Sequence, residues 1–184
     1  MSKQFYIADL HFGHKNILAY DNRQFLTVDE MDKALIRNWN SVVTQNDIVY
    51  ILGDISWHNY KETISIMNQL NGTKILIKGN HDKLNQELKC CFDYICDYKE
   101  IKDNGRDVVL CHYPIPCFNK HFYGAFHLYG HVHNSFEANM IEHFKKEMID
   151  LYDKKCNMFN VGCMMPYMSY TPRTLDEILT ANGE

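Results

Sequence analysis

No stretch of this chain is apolar for more than five residues, the longest being 48–52. A membrane-spanning helix needs about 20, and the N-terminal MSKQFYIADLHF meets Asp9 before a signal-peptide core could form. Basic residues are in short supply as well, 19 Lys and Arg facing 23 Asp and Glu. Residues 1–92 balance at 10 of each sign, and the acidic excess falls in 93–184, 9 against 13. Neither half is suited to gripping a long polyanion through its phosphates, so a dedicated nucleic-acid binder is disfavoured. The chain has only four prolines and nine glycines, with no fixed-period repeat and no low-complexity tract. Collagen-like and solenoid architectures are thereby excluded, and one domain over residues 1–184 is expected. No cysteine belongs to a CxxC pair; the seven are odd in number, and Cys90 and Cys91 are adjacent. A zinc ribbon or finger is excluded, and reduced thiols in a cytoplasmic protein are expected.

Apolar residues recur with strand and helix periods in alternation. Residues 5–8 read as a strand. Val28, Met31, Leu35, Trp39 and Val42 follow the spacing of an amphipathic helix, opened by Thr27 and Glu30 in a capping box. Residues 48–52 read as a strand buried on both faces, Tyr60, Ile64, Met67 and Leu70 as a second helical stripe, and 74–78 as a third strand. This order predicts a parallel sheet covered by helices. In the second half, strands over 98–102 and 106–111 flank Asp103-Asn104-Gly105, and Asn-Gly is a strong hairpin signal. Further strands are expected at 126–129 and 158–161, a helix at 138–153, and a terminal helix after the Thr174/Glu177 capping box.

Histidine is plentiful, with ten copies, and half of them stand just beyond predicted strands. Asp9-Leu10-His11 follows the first strand, Gly53-Asp54 the second and Gly79-Asn80-His81-Asp82 the third. His112 follows 108–111, and Gly130-His131-Val132-His133 follows 126–129. In open α/β sheets ligands bind beyond the carboxyl ends of strands, so five such clusters converge on one site. In extended chain, residues i and i+2 share a face, which lets Asp9 and His11, or His131 and His133, point into one cavity. Four histidines, two aspartates and an asparagine, with no thiolate, suit manganese, iron, zinc or nickel. These are too many donors for one tetrahedral ion. Two ions sharing Asp54 as a bridge accommodate them, the arrangement used for displacement at phosphorus by a bridging hydroxide.

D-x-H, G-D, G-N-H-D, a lone His after a strand and G-H-x-H, in this order, resemble the calcineurin-like metallophosphoesterase superfamily. HFGHKNI, NRQF, WNSVV, NVG and TLDEI look like its compact phage and bacterial branch and carry the likeness over nearly the whole chain. The resemblance implies an α/β fold of two packed mixed β-sheets flanked by α-helices. It also implies two divalent metal ions, manganese foremost, with iron, nickel or zinc as alternatives. One ion would be held by Asp9, His11, Asp54 and His133, the other by Asp54, Asn80, His112 and His131. His81 matches the non-ligand histidine that assists the leaving group, and Asp82 is expected to orient its imidazole. One departure stands out: Cys163-Met164-Met165 follows Asn160-Val161-Gly162 where this branch would carry an aspartate.

Arg23 and His14 are candidate phosphate contacts, Arg23 for its planar fork, with Lys15 a weaker one. His58 reads as a surface histidine, with the cleft rim as the alternative, while His121, His127 and His143 read as structural. The helix at 138–153 reads as packing on the sandwich, with a lid as the alternative. The expected activity is hydrolysis of a small phosphomonoester or phosphodiester. A non-catalytic metal-binding scaffold and a nuclease are the alternatives, and the charge balance counts against long nucleic acid.

Overall fold

The computed structural model describes residues 2–183. The chain runs β1 (Gln4–Ile7), α1 (Ile17–Tyr20), α2 (Val28–Val42), β2 (Ile48–Ile51), α3 (Tyr60–Met67) and β3 (Thr73–Ile77). It continues through α4 (Gln86–Lys89), β4 (Tyr94–Cys96), β5 (Tyr98–Asp103), β6 (Arg106–Cys111), β7 (Phe126–Tyr129), α5 (Phe136–Tyr152), β8 (Met158–Asn160) and α6 (Leu175–Ala181). The periodic segments form the elements they predict. Helix α2 starts where the Thr27 side chain accepts from the Glu30 amide at 3.2 Å, but the Glu30 carboxylate reaches Leu26 rather than closing the box on Thr27. The Thr174/Glu177 box is complete and opens α6.

Two four-stranded sheets result, ordered β1-β2-β3-β4 and β5-β6-β7-β8. As the order of the first half predicts, the named strands of the first sheet are all parallel, and Tyr6 makes an antiparallel bridge to Arg173 beside that sheet. Each of its strands returns through a helical crossover, and no hairpin interrupts it. The second sheet is mixed. The Asn104-Gly105 turn, with φ of 48° and 84°, sets β5 antiparallel to β6, while β6, β7 and β8 run parallel.

The sheets pack face to face on one core. Tyr6, Ile7 and Leu76 of the first lie in the same buried cluster as Val108, Leu110, Leu128 and Phe159 of the second. The buried Tyr6 hydroxyl donates to Asp103 at 2.8 Å across the layers. Beyond β1 the chain changes sheets: the Ala8 amide donates to Val161, and the Cys163 amide to Ala8, both at 2.8 Å, in a parallel bridge. β1 and β8 therefore point the same way, and the carboxyl ends of seven parallel strands meet at one edge.

Helix α5 begins two residues earlier than predicted and packs as expected. Ala138, Ile141, Phe144 and Met148 meet Val109, Tyr129 and Met158 in a second, smaller cluster. Its first residues, Phe136 and Glu137, reach the edge where the strand ends meet. His127 is buried and structural, donating to the Val109 carbonyl and accepting from the Ile115 amide. Among the described residues no helix is long and apolar enough to cross a membrane, and all seven cysteines are free.

Candidate metal centre

The strand ends deliver Asp9, His11, Asp54, Asn80, His112, His131 and His133 to one cleft of about 630 Å³ and its floor. Close approach is possible because two of the flanking positions are glycine. A Cβ on Gly79 would stand 2.3 Å from an Asp54 carboxylate oxygen, and one on Gly53, whose φ is +84°, 2.5 Å from the His112 ring. Asp9, His11, Asp54, His131 and His133 themselves lie at positive φ, between 48° and 69°. That conformation is uncommon for residues carrying a Cβ and concentrates at functional sites.

Donor atoms of Asp9, His11 and His133 lie within 4.8 Å of one another, and so do those of Asp9, Asp54 and His112. Each group could hold a metal ion. The Asp9 carboxylate belongs to both, where the sequence reading assigned it to one. Asp54 turns one oxygen toward His112 Nε2, 3.6 Å away, and the other toward His11 Nε2 at 3.9 Å. The Asn80 carbonyl oxygen is 3.0 Å from both His112 Nε2 and His131 Nδ1.

The donor chemistry fits a cation. His112 donates its Nδ1 proton to the Leu52 carbonyl at 2.7 Å, which leaves Nε2 a lone pair. That lone pair faces the acceptor oxygens of Asn80 and Asp54, so only a proton or a cation between them makes the contact attractive. His133 repeats the arrangement. Its Nδ1 donates to Asp21 at 2.6 Å, and its Nε2 meets His11 Nε2 at 3.1 Å. Such outer hydrogen bonds fix which imidazole nitrogen is free to ligate. Burial, then the nearby His133, drives the His11 imidazole toward its neutral, metal-binding form. Burial also lowers His131. Burial lifts Asp9 above the usual carboxylate range despite His133 and His112 beside it, so the pocket favours neutralising that charge. Burial opposes protonation of His133, but Asp21 and Asp9 together outweigh it and raise that histidine.

Two sequence expectations are corrected. Arg23 is not a phosphate contact. It is 4% exposed, and its guanidinium is fully engaged with Asp21 and with the backbone carbonyls of Asp9 and Leu10 at 2.8–3.0 Å. Asp82 does not orient the His81 ring. Its carboxylate accepts from the amides of Asp54, Ile55 and Gly79 at 2.8–3.0 Å and so clamps the loops after β2 and β3 together.

His14 does line the cleft, its ring stacked on Trp57 at 4.1 Å, whereas Lys15 is exposed outside the lining. His81 lies at the mouth, its amide donating to Asp54 and its ring 4.4 Å from Trp57. His58 is held by Asp32 and Glu62 beside a second, smaller cavity. Cys163, at the departure from the expected motif, is buried and donates its thiol to the Asp9 carbonyl. It braces a candidate ligand and stands away from the cleft lining. Asp21 and Trp57 were missed by sequence reasoning. The Asp21-x-Arg23 spacing and an indole three residues past Gly53-Asp54 are the signals that could have found them.

No family model matches the chain. It is 35% identical over 181 residues to the uncharacterised protein MJ1445 of Methanocaldococcus jannaschii, covering 97% of this chain and 90% of that one. This chain therefore belongs to the same protein family as that archaeal protein. The Gene 66 protein of Mycobacterium phage L5 is 34% identical over 134 residues, covering 62% of this chain and 64% of the phage protein. The crystal structure of a protein of unknown function, AQ665 from Aquifex aeolicus, superposes with a TM-score of 0.74 at 27% identity, covering 98% of this chain and 100% of that one.

Proposed function

We propose that this chain is a dinuclear metal-dependent phosphoesterase of the calcineurin-like superfamily, in its compact phage and bacterial branch. The observation that carries the reading is Asp54, whose two carboxylate oxygens face two different donor groups. Asp9, His11, Asp54 and His133 would hold one ion, and Asp54, Asn80, His112 and His131 the other. Nitrogen and oxygen donors without sulfur support manganese, with iron, nickel or zinc as alternatives. When bound, two divalent ions would supply a nucleophile at neutral pH and offset charge at phosphorus.

The protein's own part is positioning. The Asp82 clamp fixes the Asp54 loop against Gly79, and Asp21 and Leu52 set the tautomers of His133 and His112. His81 lines the cleft outside both donor groups, so its imidazole is free to give a proton to a leaving oxygen. Among the described residues no Lys or Arg lines the cleft, which supports a small phosphoester over a long nucleic acid.

The test is reloading of metal-stripped protein with manganese, nickel, zinc or magnesium, followed by assay on paired mono- and diesters, with Asp54→Ala as blank. Activity is expected to return with manganese in the wild type and to be lost in the variant. Turnover that survives stripping, or is equal in the blank, overturns the dinuclear reading. Verified metal binding with no turnover would point instead to a metal-binding scaffold.

A further inference from the structure

Two cavities meet at His81. The larger is lined by the candidate donors His11, Asp54, His131 and His133; the smaller, about 310 Å³, runs along Ile55, Tyr60, Thr63, Lys83 and Leu88 and contains none of the seven candidate donors. Trp57 and His81 line both. A phosphorus atom seated at the donor cluster beside His81 therefore has room for an organic group on either side. A monoester has one such group and a diester has two.

Charge points the same way. A phosphomonoester carries about −1.5 to −2 at neutral pH, a diester −1. The larger cleft offers no Lys or Arg among the described residues, while Asp21, Asp54 and Glu137 line it. Its outer wall is aromatic. Tyr20 and Phe136, each 74% exposed, stand at the opening, and Trp57 lies deeper, stacked on His14. Large exposed rings around a concave site are stacking platforms for planar groups, and base–aromatic stacking needs no cationic partner. A volume of about 630 Å³ lies within the range that encloses small organic ligands.

We infer that the substrate is a phosphodiester with a nucleoside as one ester arm, its base stacked against Tyr20 and Phe136 in the larger cleft. The other arm lies in the smaller cavity and departs. This inference rests on the phosphoesterase reading. Water oxygen forms the new bond to phosphorus while the bond from phosphorus to the departing ester oxygen breaks. That oxygen keeps the electron pair and takes a proton from His81, and the proton released by the attacking water passes to solvent, from which His81 is reprotonated, giving a nucleoside monophosphate and an alcohol.

The experiment uses the full chain loaded with manganese and three substrates sharing one leaving group: p-nitrophenyl phosphate, methyl p-nitrophenyl phosphate and thymidine 5′-(p-nitrophenyl phosphate). The thymidine diester is expected to show the highest kcat/KM and a KM about tenfold below that of the methyl diester, the order expected from one base–aromatic stack. Phe136→Ala and Tyr20→Ala should each narrow that difference in KM between the thymidine and methyl diesters. Turnover in which the monoester is preferred, or in which the two diesters share one KM, overturns this inference alone. No turnover of any of the three, with two manganese ions per chain verified, overturns the phosphoesterase reading and this inference together.

Discussion

Asp21→Asn changes one oxygen to an amide nitrogen where a buried arginine and a candidate ligand histidine meet. In the wild type the carboxylate accepts from Arg23 Nε and Nη2 at 2.9 and 2.8 Å and from His133 Nδ1 at 2.6 Å. Burial works against its charge, but His133 and Arg23 together hold it below the usual carboxylate range. Asparagine keeps one acceptor, and its NH2 group would face a donor. Removing one partner of a buried ion pair costs about 3–5 kcal/mol. Arg23 retains the carbonyls of Asp9 and Leu10, so the lower end, about 3 kcal/mol, is expected, and a chain of ordinary stability still folds. With that acceptor turned to Arg23, His133 loses the contact that fixes its tautomer, which should weaken metal affinity about 10- to 100-fold. Urea denaturation of metal-free protein reads the first effect, and calorimetric titration with manganese reads the second. Manganese affinity within twofold of wild type, alongside the stability loss, would refute the orienting role. Unchanged stability would refute the buried-pair argument.

His81→Ala should lower kcat about 10²- to 10⁴-fold on a diester with a poor leaving group while bound manganese stays at the wild-type level; full activity on that ester sinks the proton-donor role. Gly79→Ala, whose methyl would meet Asp54 at 2.3 Å, should move that carboxylate and cost on the order of 10²-fold in kcat/KM, and wild-type kinetics would contradict the bridging position. Burial holds His127 at about 4 rather than 6.5, so it is neutral in the fold, and the unfolded chain takes up the proton first. Its contribution is complete above about pH 6.5 and is lost as pH falls toward 4, by roughly 3 kcal/mol. The stability gap between wild type and His127→Gln should therefore narrow on acidification across that window, and parallel pH profiles in urea denaturation would exclude this account.

The donor cluster was legible because its signal is local. A polar residue just past an apolar run marks a strand end, and parallel strands bring their ends together whatever the details of packing. The stripes of α2 and α3 and the Asn104-Gly105 turn are legible for the same reason. What the sequence hides is direction. Asp82 adjoins His81, yet in the loop its carboxylate turns to three amides. Arg23 has the fork that suits phosphate, yet it lies under the β1 loop, where backbone carbonyls that no periodicity reveals fill that fork. β4 has only three residues, at the edge of its sheet, too few for an alternation to register. Asp21 was overlooked because its partners, Arg23 aside, come from 112 residues away.

The geometry of the donors also bears on how a metal would be received. A non-glycine residue held at positive φ costs about 1–3 kcal/mol, so five such donors cost about 5–15 kcal/mol, comparable to the whole stability of an ordinary domain. The surrounding structure must over-determine that backbone for it to persist. The contacts that do so are on hand. Arg23 and Cys163 both donate to the Asp9 carbonyl, the His131 amide donates to the Asp9 carboxylate, and Asp82 binds the Asp54 and Gly79 amides. Hydrogen bonds to charged groups contribute more than neutral ones, about 1.5–3 kcal/mol each, and the Arg23 contact is of this kind. The buried Arg23 and the half-buried Asp82 thus act on the centre through the backbone that carries the candidate ligands. This explains why residues that look catalytic by type serve here as supports. It also means that the donors are in place before a cation arrives, so binding has little ordering entropy to overcome at the strand ends.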